Sequence, residues 1–444
     1  MSTAVAPETS APAAGRGLFN RDFLLLWQGQ AVSQLGNQAF AVAMMFWTME
    51  ATGSASLMGL LMSLALLPGV LLSPFGGTFA DRYSRVRILV VCDLASGLAV
   101  AALAGLFFAG VPNETAVAAM FATAVFAGIV RAFFQPAIAA ALPDLVPAPH
   151  FMAANSLNQF SIQISQLLGQ AAGGLLYRVI GAPLLFVLDA LSFFYAGACA
   201  ALIRAAPSAP RPAPKSGPLR AFLLETRVGL LFTWNREGLR NVVLIASLIN
   251  FLLAPFSVLL PFYVQLYLKA GAAWYGFLIA ALSAGSIAGF LLAGALKLAP
   301  TARGRLLLAG LVVGPILLGA LGFATAAPLA LLMIFGGGLA FGLVNIYLIT
   351  LIQLSTPAEL RGRVLGLLTT LTTGLLPLGM ALSGVLGDLT DKNVPLIFGV
   401  SGALSVVLTL ALATRPACQA FFATPAPSAP PSASPRVGEE PVEP

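Results

Sequence analysis

The segment GTFADRYSRVR, residues 77–87, is the stretch that decides the fold of this chain. It joins two apolar stretches of membrane-spanning length, near 57–80 and 88–110, through one acidic residue and three arginines. Gly77 lets two helices cross closely, and Asp81 can accept hydrogen bonds from a helix N-terminus or from arginines. We therefore expect a charged loop that fastens neighbouring helices at a membrane surface.

The composition around this loop is that of a protein embedded in a bilayer. Of 444 residues, 59% are hydrophobic and 9% are charged, whereas a soluble domain carries about 25% charged residues. A membrane span needs roughly 20 mostly apolar residues, and this length predicts an all-α membrane protein with twelve transmembrane helices. The predicted spans are 23–50, 57–80, 88–110, 116–142, 152–180, 183–204, 240–268, 273–297, 305–324, 327–355, 363–388 and 394–414.

Basic residues fall unevenly between the two ends of these spans. If the N-terminus is cytoplasmic, nineteen Lys and Arg residues lie on the cytoplasmic side and three on the other, Arg178, Lys269 and Lys392. Positively charged loops stay in the cytoplasm, so both termini are predicted there. The net charge of +7 is then a signal of topology and does not indicate a nucleic-acid partner.

The chain divides into two similar halves. LVPAPHFMAANSL (145–157) matches STPAELRGRVLGL (355–367), which indicates a parallel repeat of six spans. Such repeats are typical of transporters built as two rocking bundles around a central site. The predicted parts are a disordered N-terminus (1–18), an N-terminal six-helix bundle (19–204), a cytoplasmic linker with an amphipathic helix (205–238), a C-terminal six-helix bundle (239–414) and a disordered tail (415–444).

The loop at 77–87 resembles the signature loop between helices two and three of the major facilitator superfamily. The matching residues are Gly77, Asp81, Arg82, Arg85 and Arg87, and Ser84 departs from the usual glycine. Further stretches resemble a bacterial efflux subgroup that includes macrolide-efflux proteins and the enterobactin exporter, among them VRAFFQPAIAAALPDLVP (130–147) and FVLDALSFF (186–194). The resemblance implies the major facilitator fold, a bacterial inner membrane, and a conformational latch between the halves at this loop.

Three charged residues lie deep inside predicted spans, away from the span ends: Asp93, Arg131 and Asp189. A charge at mid-bilayer costs about 2.5–3.5 kcal/mol on insertion scales, so such residues are functional candidates. Arg131 could bind an anionic or catechol-bearing substrate, or it could pair with Asp93 or Asp189. The two aspartates are the candidates for proton coupling, because Asn37 stands where many members of the subgroup have an acid.

Amides follow one face of the first predicted helix. Gln30, Gln34, Asn37 and Gln38 fall within an arc of about 100°, given 100° of rotation per residue. With Arg131, Gln135, Asn250 and Asn345 they form the predicted substrate-binding set, since amides donate and accept hydrogen bonds without carrying charge. A second amide series, from Asn155 to Gln170, could line the same cavity or could join helices.

These features favour a secondary active transporter that exports small amphipathic molecules, either a siderophore or a drug, by proton antiport. The chain has no phosphate-binding glycine loop, nucleophile elbow or His-Glu cluster, so an enzyme is not expected. Multidrug or macrolide efflux without a siderophore, lysophospholipid flipping and passive facilitation stay open as alternatives. The expected partners are a small-molecule substrate, protons and the lipid bilayer; no metal or other cofactor is expected, and the protein should be a monomer.

Overall fold

The computed structural model describes residues 17–204, 227–296 and 298–422. Its helices are α1 (Arg21–Thr52), α2 (Ala55–Arg82), α3 (Arg85–Phe108), α4 (Asn113–Leu145), the helix Phe151–Ala201, α7 (Glu237–Phe262), α8 (Ala272–Ala295), α9 (Pro300–Leu321), α10 (Ala327–Ser355), α11 (Ala358–Gly374), α12 (Leu376–Leu389), α13 (Val394–Ala413) and α14 (Pro416–Phe422). The helix Phe151–Ala201 contains a break at Gly181, and we name its two parts α5 (151–180) and α6 (182–201).

Ten helical segments among the described residues are long and apolar enough to cross a membrane. One of them, Phe151–Ala201, accounts for two crossings because Gly181 has a φ of 75° and Pro183 follows it. Another, Arg363–Leu389, runs through α11 and α12. The amide-rich α1 is not among the ten, yet its 32 residues pack with the others. The predicted architecture of twelve crossing helices in two bundles, α1–α6 and α7–α13, is thereby confirmed.

Local sequence signals set the ends of these helices. The Asn20 side chain accepts a hydrogen bond from the Phe23 amide at 3.0 Å and so caps α1, as amide and hydroxyl side chains do at helix starts. At the other end of α1, Gly53 takes the left-handed conformation with φ of 60°. Pro261 precedes a π-helical turn, Tyr263–Tyr267, that ends the seventh crossing.

Three long stretches of the predicted domain plan fall on residues outside the description: 1–16 of the N-terminal segment, 205–226 of the linker and 423–444 of the tail. The rest of the linker includes a helical stretch at 227–234. The tail differs from the prediction of disorder from residue 415, because α14 is helical and buries Cys418, Phe421 and Phe422. These side chains pack with the first turns of α7, and Gly238 lies against Phe421.

The bundles make contact at one end and separate toward the other. We call the end where α1 begins and α13 finishes the terminal side, and the opposite end the distal side. A buried apolar cluster joins the bundles on the distal side and includes Met45, Met58, Tyr275 and Met380. The rings of Phe46 and Tyr275 meet edge to face there, with centroids 5.5 Å apart. The distal side is therefore sealed.

The space around glycines of α2, α11 and α12 shows how these helices diverge. A Cβ atom added at Gly59 would lie 3.0 Å from the Gly384 Cα atom, so the two backbones touch near the distal end. A Cβ atom added at Gly374, about ten residues further on, would lie 3.9 Å from the Val70 side chain. At Gly77 and Gly366, near the terminal side, an added Cβ would meet nothing within 4 Å. The gap between the bundles therefore opens toward the terminal side.

Candidate substrate cleft

Arg131 points toward the interior of its bundle. On α4 it lies eleven residues after Met120, which at 100° per residue places both side chains on nearly one face. Met120 contacts α1, because its Sδ atom lies 3.9 Å from the Thr48 hydroxyl. Ile129 and Phe126 lie on the opposite face and are exposed toward the position of the lipid. Arg131 is itself exposed, so its guanidinium faces an open space on the α1 side of α4.

Asn37 faces the same space from α1. It precedes Thr48 by eleven residues, so both amino acids share one face of α1. Arg131 follows Met120 by eleven residues on α4, which runs antiparallel to α1. Asn37 and Arg131 therefore both lie about 16 Å from the contact between Thr48 and Met120, in the direction of the terminal side. Asn37 is exposed, and so is Gln135, one turn beyond Arg131. Helical geometry thus puts these exposed side chains at similar depth on the facing sides of α1 and α4, and we take the space between them as the candidate cleft.

No hydrogen bond or ion pair joins Arg131 or Asn37 to another side chain in the described part of the chain. In particular, the pairing of Arg131 with Asp93 or Asp189, one of the two alternatives left open by the sequence, is not formed. A guanidinium without a partner presents five donors. Among the described residues, none occupies these donors with a hydrogen bond or ion pair.

The other amides of α1 are less open than Asn37. Gln30 is buried and donates to the Asp93 carboxylate of α3 at 3.4 Å. Gln38 accepts a hydrogen bond of 2.9 Å from Gln170 of α5. Gln34 is half buried, and its Oε1 atom is buried without a hydrogen-bond partner. The face that looked uniform in the sequence thus divides into an open part near Asn37 and parts that join α1 to its neighbours.

The two aspartates are buried in the first bundle at different heights. Asp189 of α6 is fully buried; its Oδ1 atom accepts a hydrogen bond from Ser192 at 3.3 Å, and its Oδ2 atom has no partner among the described residues. A Cβ atom at Gly36 would lie 2.8 Å from that Oδ1 atom, so only glycine fits there. Asp93 packs near Gly197, eight residues further along α6. Both carboxylates lie beside α1, and neither contacts the cleft residue Arg131.

The loop at 77–87 is bonded within its own bundle. Arg85 forms an ion pair with Asp144 of α4 and donates to the Ala140 carbonyl at 3.0 Å. The side chains of Asp81, Arg82 and Arg87 make no hydrogen bond or ion pair to any described residue. Across the gap, Arg361 donates to carbonyls of its own bundle, at Gln353 and Thr356. Asp81, Arg82 and Arg87 are therefore not bonded to any described residue of the second bundle in this conformation.

The close helix crossing near this loop is at Gly76. A Cβ atom there would collide with the Ala132 carbonyl of α4, whereas one at Gly77 would meet nothing within 4 Å. The expectation that Gly77 provides the crossing is therefore wrong by one residue. A one-residue step turns a helical side chain by 100°, and the sequence alone does not show which glycine faces α4.

The second bundle contributes fewer polar groups. Asn250 of α7 is half buried and donates to the Ala246 carbonyl of its own helix at 2.8 Å. Asn345 of α10 is half buried and has no hydrogen bond to a described residue. Their amides add little free hydrogen-bonding capacity beside that of Arg131 and Asn37.

One polar contact between the bundles was not predicted. Asp388, near the end of α12, accepts hydrogen bonds from the Ser54 hydroxyl and from the backbone amides of Ala55 and Ser56, at 2.8, 2.9 and 2.9 Å. A signal was present in the sequence, because a carboxylate is unfavourable at the C-terminal end of a helix and indicates a compensating partner. The identity of that partner, more than 330 residues away, could not be inferred.

Two helical bundles that seal one end, open at the other and enclose an unpaired polar cleft define a membrane transporter. Residues 26–379 match the sequence profile described as Major Facilitator Superfamily. The chain belongs to this family.

Among curated proteins, the chain is 28% identical over 243 residues to macrolide efflux protein A of Streptococcus pyogenes. This alignment covers 54% of this chain and 58% of that protein. It is 27% identical over 404 residues to the multidrug efflux pump Tap of Mycobacterium bovis, covering 88% of this chain and 92% of that pump. The chain thus aligns with little more than half of the first relative and with nearly the whole of the second.

Solved structures show the same fold at low identity. A bacterial homologue of the iron transporter ferroportin, in an inward-facing state, superposes with a TM-score of 0.68 at 16% identity, covering 89% of this chain and 99% of that one. The nucleoside transporter NupG superposes with a TM-score of 0.70 at 14% identity, covering 90% and 99%. These likenesses concern the arrangement of the helices alone.

Proposed function

We propose that this protein exports small amphipathic organic molecules from a bacterial cell by alternating access in the inner membrane. The distribution of Lys and Arg supports a cytoplasmic terminal side, and the cleft opens toward that side. The conformation described above then corresponds to the inward-facing state, in which a transporter loads its cargo from the cytoplasm. The curated relatives named as efflux proteins support the direction of transport.

The unpaired guanidinium of Arg131 is the observation that carries the substrate proposal. A substrate with a carboxylate, sulfonate or catechol group would accept hydrogen bonds from Arg131, and charge-assisted bonds of this type are about twice as strong as neutral ones. Asn37 and Gln135 would bind further polar groups of the same molecule. The apolar body of such a substrate would lie against aromatic side chains near Arg131, of which Phe133 and Phe134 of α4 are half buried.

Proton antiport is the coupling that we propose, with Asp189 and Asp93 as the proton carriers. A buried charge without full hydrogen bonding is costly in a medium of low dielectric, and the Oδ2 atom of Asp189 has no partner within the part of the chain that the structure describes. Binding a proton removes this cost, and release requires a rearrangement that gives water access. Gln30 links Asp93 to the cleft-lining helix α1, so movement of α1 would reach this carboxylate first.

The test is a deletion strain compared with its parent by mass spectrometry of cells and medium, with and without iron limitation. Intracellular accumulation of an iron chelator would identify siderophore export. New sensitivity to amphipathic drugs with an unchanged metabolite profile would identify multidrug efflux. Complementation with the wild-type chain should restore the parent phenotype. An unchanged metabolite profile together with unchanged drug sensitivity would contradict export.

A further inference from the structure

The helix α2 and the consecutive helices α11 and α12 form an antiparallel pair across the gap between the bundles. The α2 helix runs from the distal side at Ala55 to the terminal side at Arg82, and α11 and α12 return from Ala358 to Leu389. Each of the two helical segments of this pair has an aspartate as its last residue but one, Asp81 in α2 and Asp388 in α12. Each aspartate therefore lies at the end of the pair where the opposing helical segment begins.

On the distal side the aspartate caps the opposing helix. The first amides of a helix have no intrahelical partner and carry a partial positive charge. Asp388 satisfies two of them, at Ala55 and Ser56, and also accepts the Ser54 hydroxyl. Lys392 lies 3.7 Å from the Asp388 carboxylate and balances its charge. A residue of one bundle thus completes the N-terminus of a helix in the other.

The backbones of α2 and α12 are in direct contact next to this cap. A Cβ atom at Gly384 would lie 2.9 Å from the Ser56 Cα atom, and one at Gly387 would lie 2.8 Å from the Ala55 Cβ atom. The cap therefore forms only when the two backbones are in contact. Opening of the distal side must break all three hydrogen bonds at Asp388 together.

On the terminal side, no described residue forms the equivalent contact. The side chain of Asp81 makes no hydrogen bond to a described residue, and the nearby Gly77 has nothing within 4 Å of an added Cβ. The α11 helix begins there at Ala358, after the non-donating residue Pro357. One end of the antiparallel pair is capped, and the other is open.

We propose that Asp388 is a distal latch, whose carboxylate caps α2 in the conformation described here and releases it when the distal side opens. Asp81 belongs to the latch that the family resemblance implies on the terminal side, and in this proposal it takes over the cap in the alternate conformation. Asp388 holds the distal side shut while the cleft faces the terminal side. When the bundles rock, the amides of Ala55 and Ser56 lose Asp388 and the start of α11 gains Asp81. The exchange keeps one inter-bundle cap in each state, and it is independent of which substrate is carried.

The experiment measures the distance between the bundles on the distal side. Spin labels are placed at Thr115 and Thr325, two exposed residues at the distal ends of the first and second bundle. The described cysteines, Cys92, Cys199 and Cys418, are buried and can be replaced by serine or alanine in the same background. Double electron–electron resonance of the purified full chain in nanodiscs then gives the populations with the distal side closed and open.

For Asp388→Asn we expect the ratio of distal-open to distal-closed molecules to rise about tenfold, because charge-assisted hydrogen bonds to the α2 amides are weakened. Asp81→Asn should lower that ratio, and the double variant should fall between the two. Asp391→Asn is the matched control, because Asp391 is an exposed carboxylate three residues further on, and it should leave the distances unchanged. Turnover should fall in both single variants, since each destabilises one state of the cycle and leaves the other overpopulated.

Ser54→Ala provides a second route if Asp388→Asn does not fold. It removes one of the three hydrogen bonds, at 2.8 Å, and should raise the distal-open fraction in the same direction by about threefold. Distance distributions that match the wild-type protein in Ser54→Ala and in every folded Asp388 variant would overturn the proposal. An equal shift in Asp391→Asn would also overturn it, because any carboxylate at this surface would then suffice.

Discussion

The two bundles share one helical frame and differ in the charge that they hold inside it. The first bundle contains Asp93, Arg131 and Asp189 within its helices, whereas charged residues in the described part of the second lie near helix ends, as Asp388 does. A charge inside a bilayer costs about 2.5–3.5 kcal/mol on insertion scales. Because these charges are confined to one bundle, we propose that the two bundles divide the work. The first bundle would bind the substrate and couple its transport to protons, and the second would supply an apolar wall of the cleft and part of the distal seal.

The sharpest test of this division is Arg131→Ala. We expect a loss of at least about 100-fold in kcat/KM for an anionic substrate in proteoliposomes, because charge-assisted hydrogen bonds to the substrate disappear. Arg131→Lys should keep part of the activity, since it retains the charge but loses the planar fork. Arg178→Ala, an exposed arginine at the end of α5, serves as the control. Full activity of Arg131→Ala would remove Arg131 from the site.

The second test concerns the carboxylates of the same bundle. Asp189→Asn and Asp93→Asn should each reduce pH-gradient-driven uptake into everted vesicles by at least about tenfold, because an amide cannot carry the proton. Downhill exchange of substrate should persist in these variants. Glu114→Gln removes an exposed carboxylate at the start of α4 and should retain normal coupling. If both aspartate variants keep wild-type pH-driven uptake, the proton carrier lies elsewhere.

The opposing wall should contribute less. Asn250→Ala and Asn345→Ala should raise KM by no more than about threefold, a loss near that of one neutral hydrogen bond. Asn37→Ala, on the first bundle, should have the larger effect, since Asn37 is exposed and helical geometry puts it at a depth similar to that of Arg131. Substrate titration of all three variants in one membrane preparation makes the comparison direct. Effects on the second bundle as large as that of Arg131→Ala would end the proposed division.

The smallest effect is expected where an amide joins two helices of the first bundle. Gln170→Leu removes the 2.9 Å hydrogen bond to Gln38, and interhelical hydrogen bonds in membranes are worth about 0.6 kcal/mol on average. Thermal unfolding in detergent should show a slightly lower Tm, with transport retained. Gln163→Leu, on the same helix, is the comparison. A loss of transport without loss of stability would make Gln170 part of the substrate cleft.

The helical frame could be read from the sequence because span length and loop charge are local properties. Apolar runs predicted the crossings, and the loop at 77–87 predicted the family. The candidacy of Arg131 came from a charge within an apolar span, which is also a local property. The tail was misjudged, because α14 is stabilised by burial of Phe421 and Phe422 against distant helices, which local composition does not reveal.

The partners of individual polar groups could not be predicted. Gln30 looked like a cleft residue but is held against Asp93 by the packing of α3. Arg131 could have paired with either aspartate, and the fold keeps all three apart. Asp388 accepts its hydrogen bonds from residues more than 330 positions away in the sequence. Such contacts depend on the relative rotation and tilt of helices, which one amino-acid sequence does not specify.

The glycine contact between Gly59 and Gly384 bears on the electrical integrity of the membrane. Two backbones in contact have no rotamers to exchange, so this part of the distal seal cannot loosen by small side-chain motions. Partial opening, which would let ions leak and would dissipate the membrane potential, is disfavoured. The transporter can then change state only by a concerted movement of whole helices, and a cell can keep many copies in its membrane at little energetic risk.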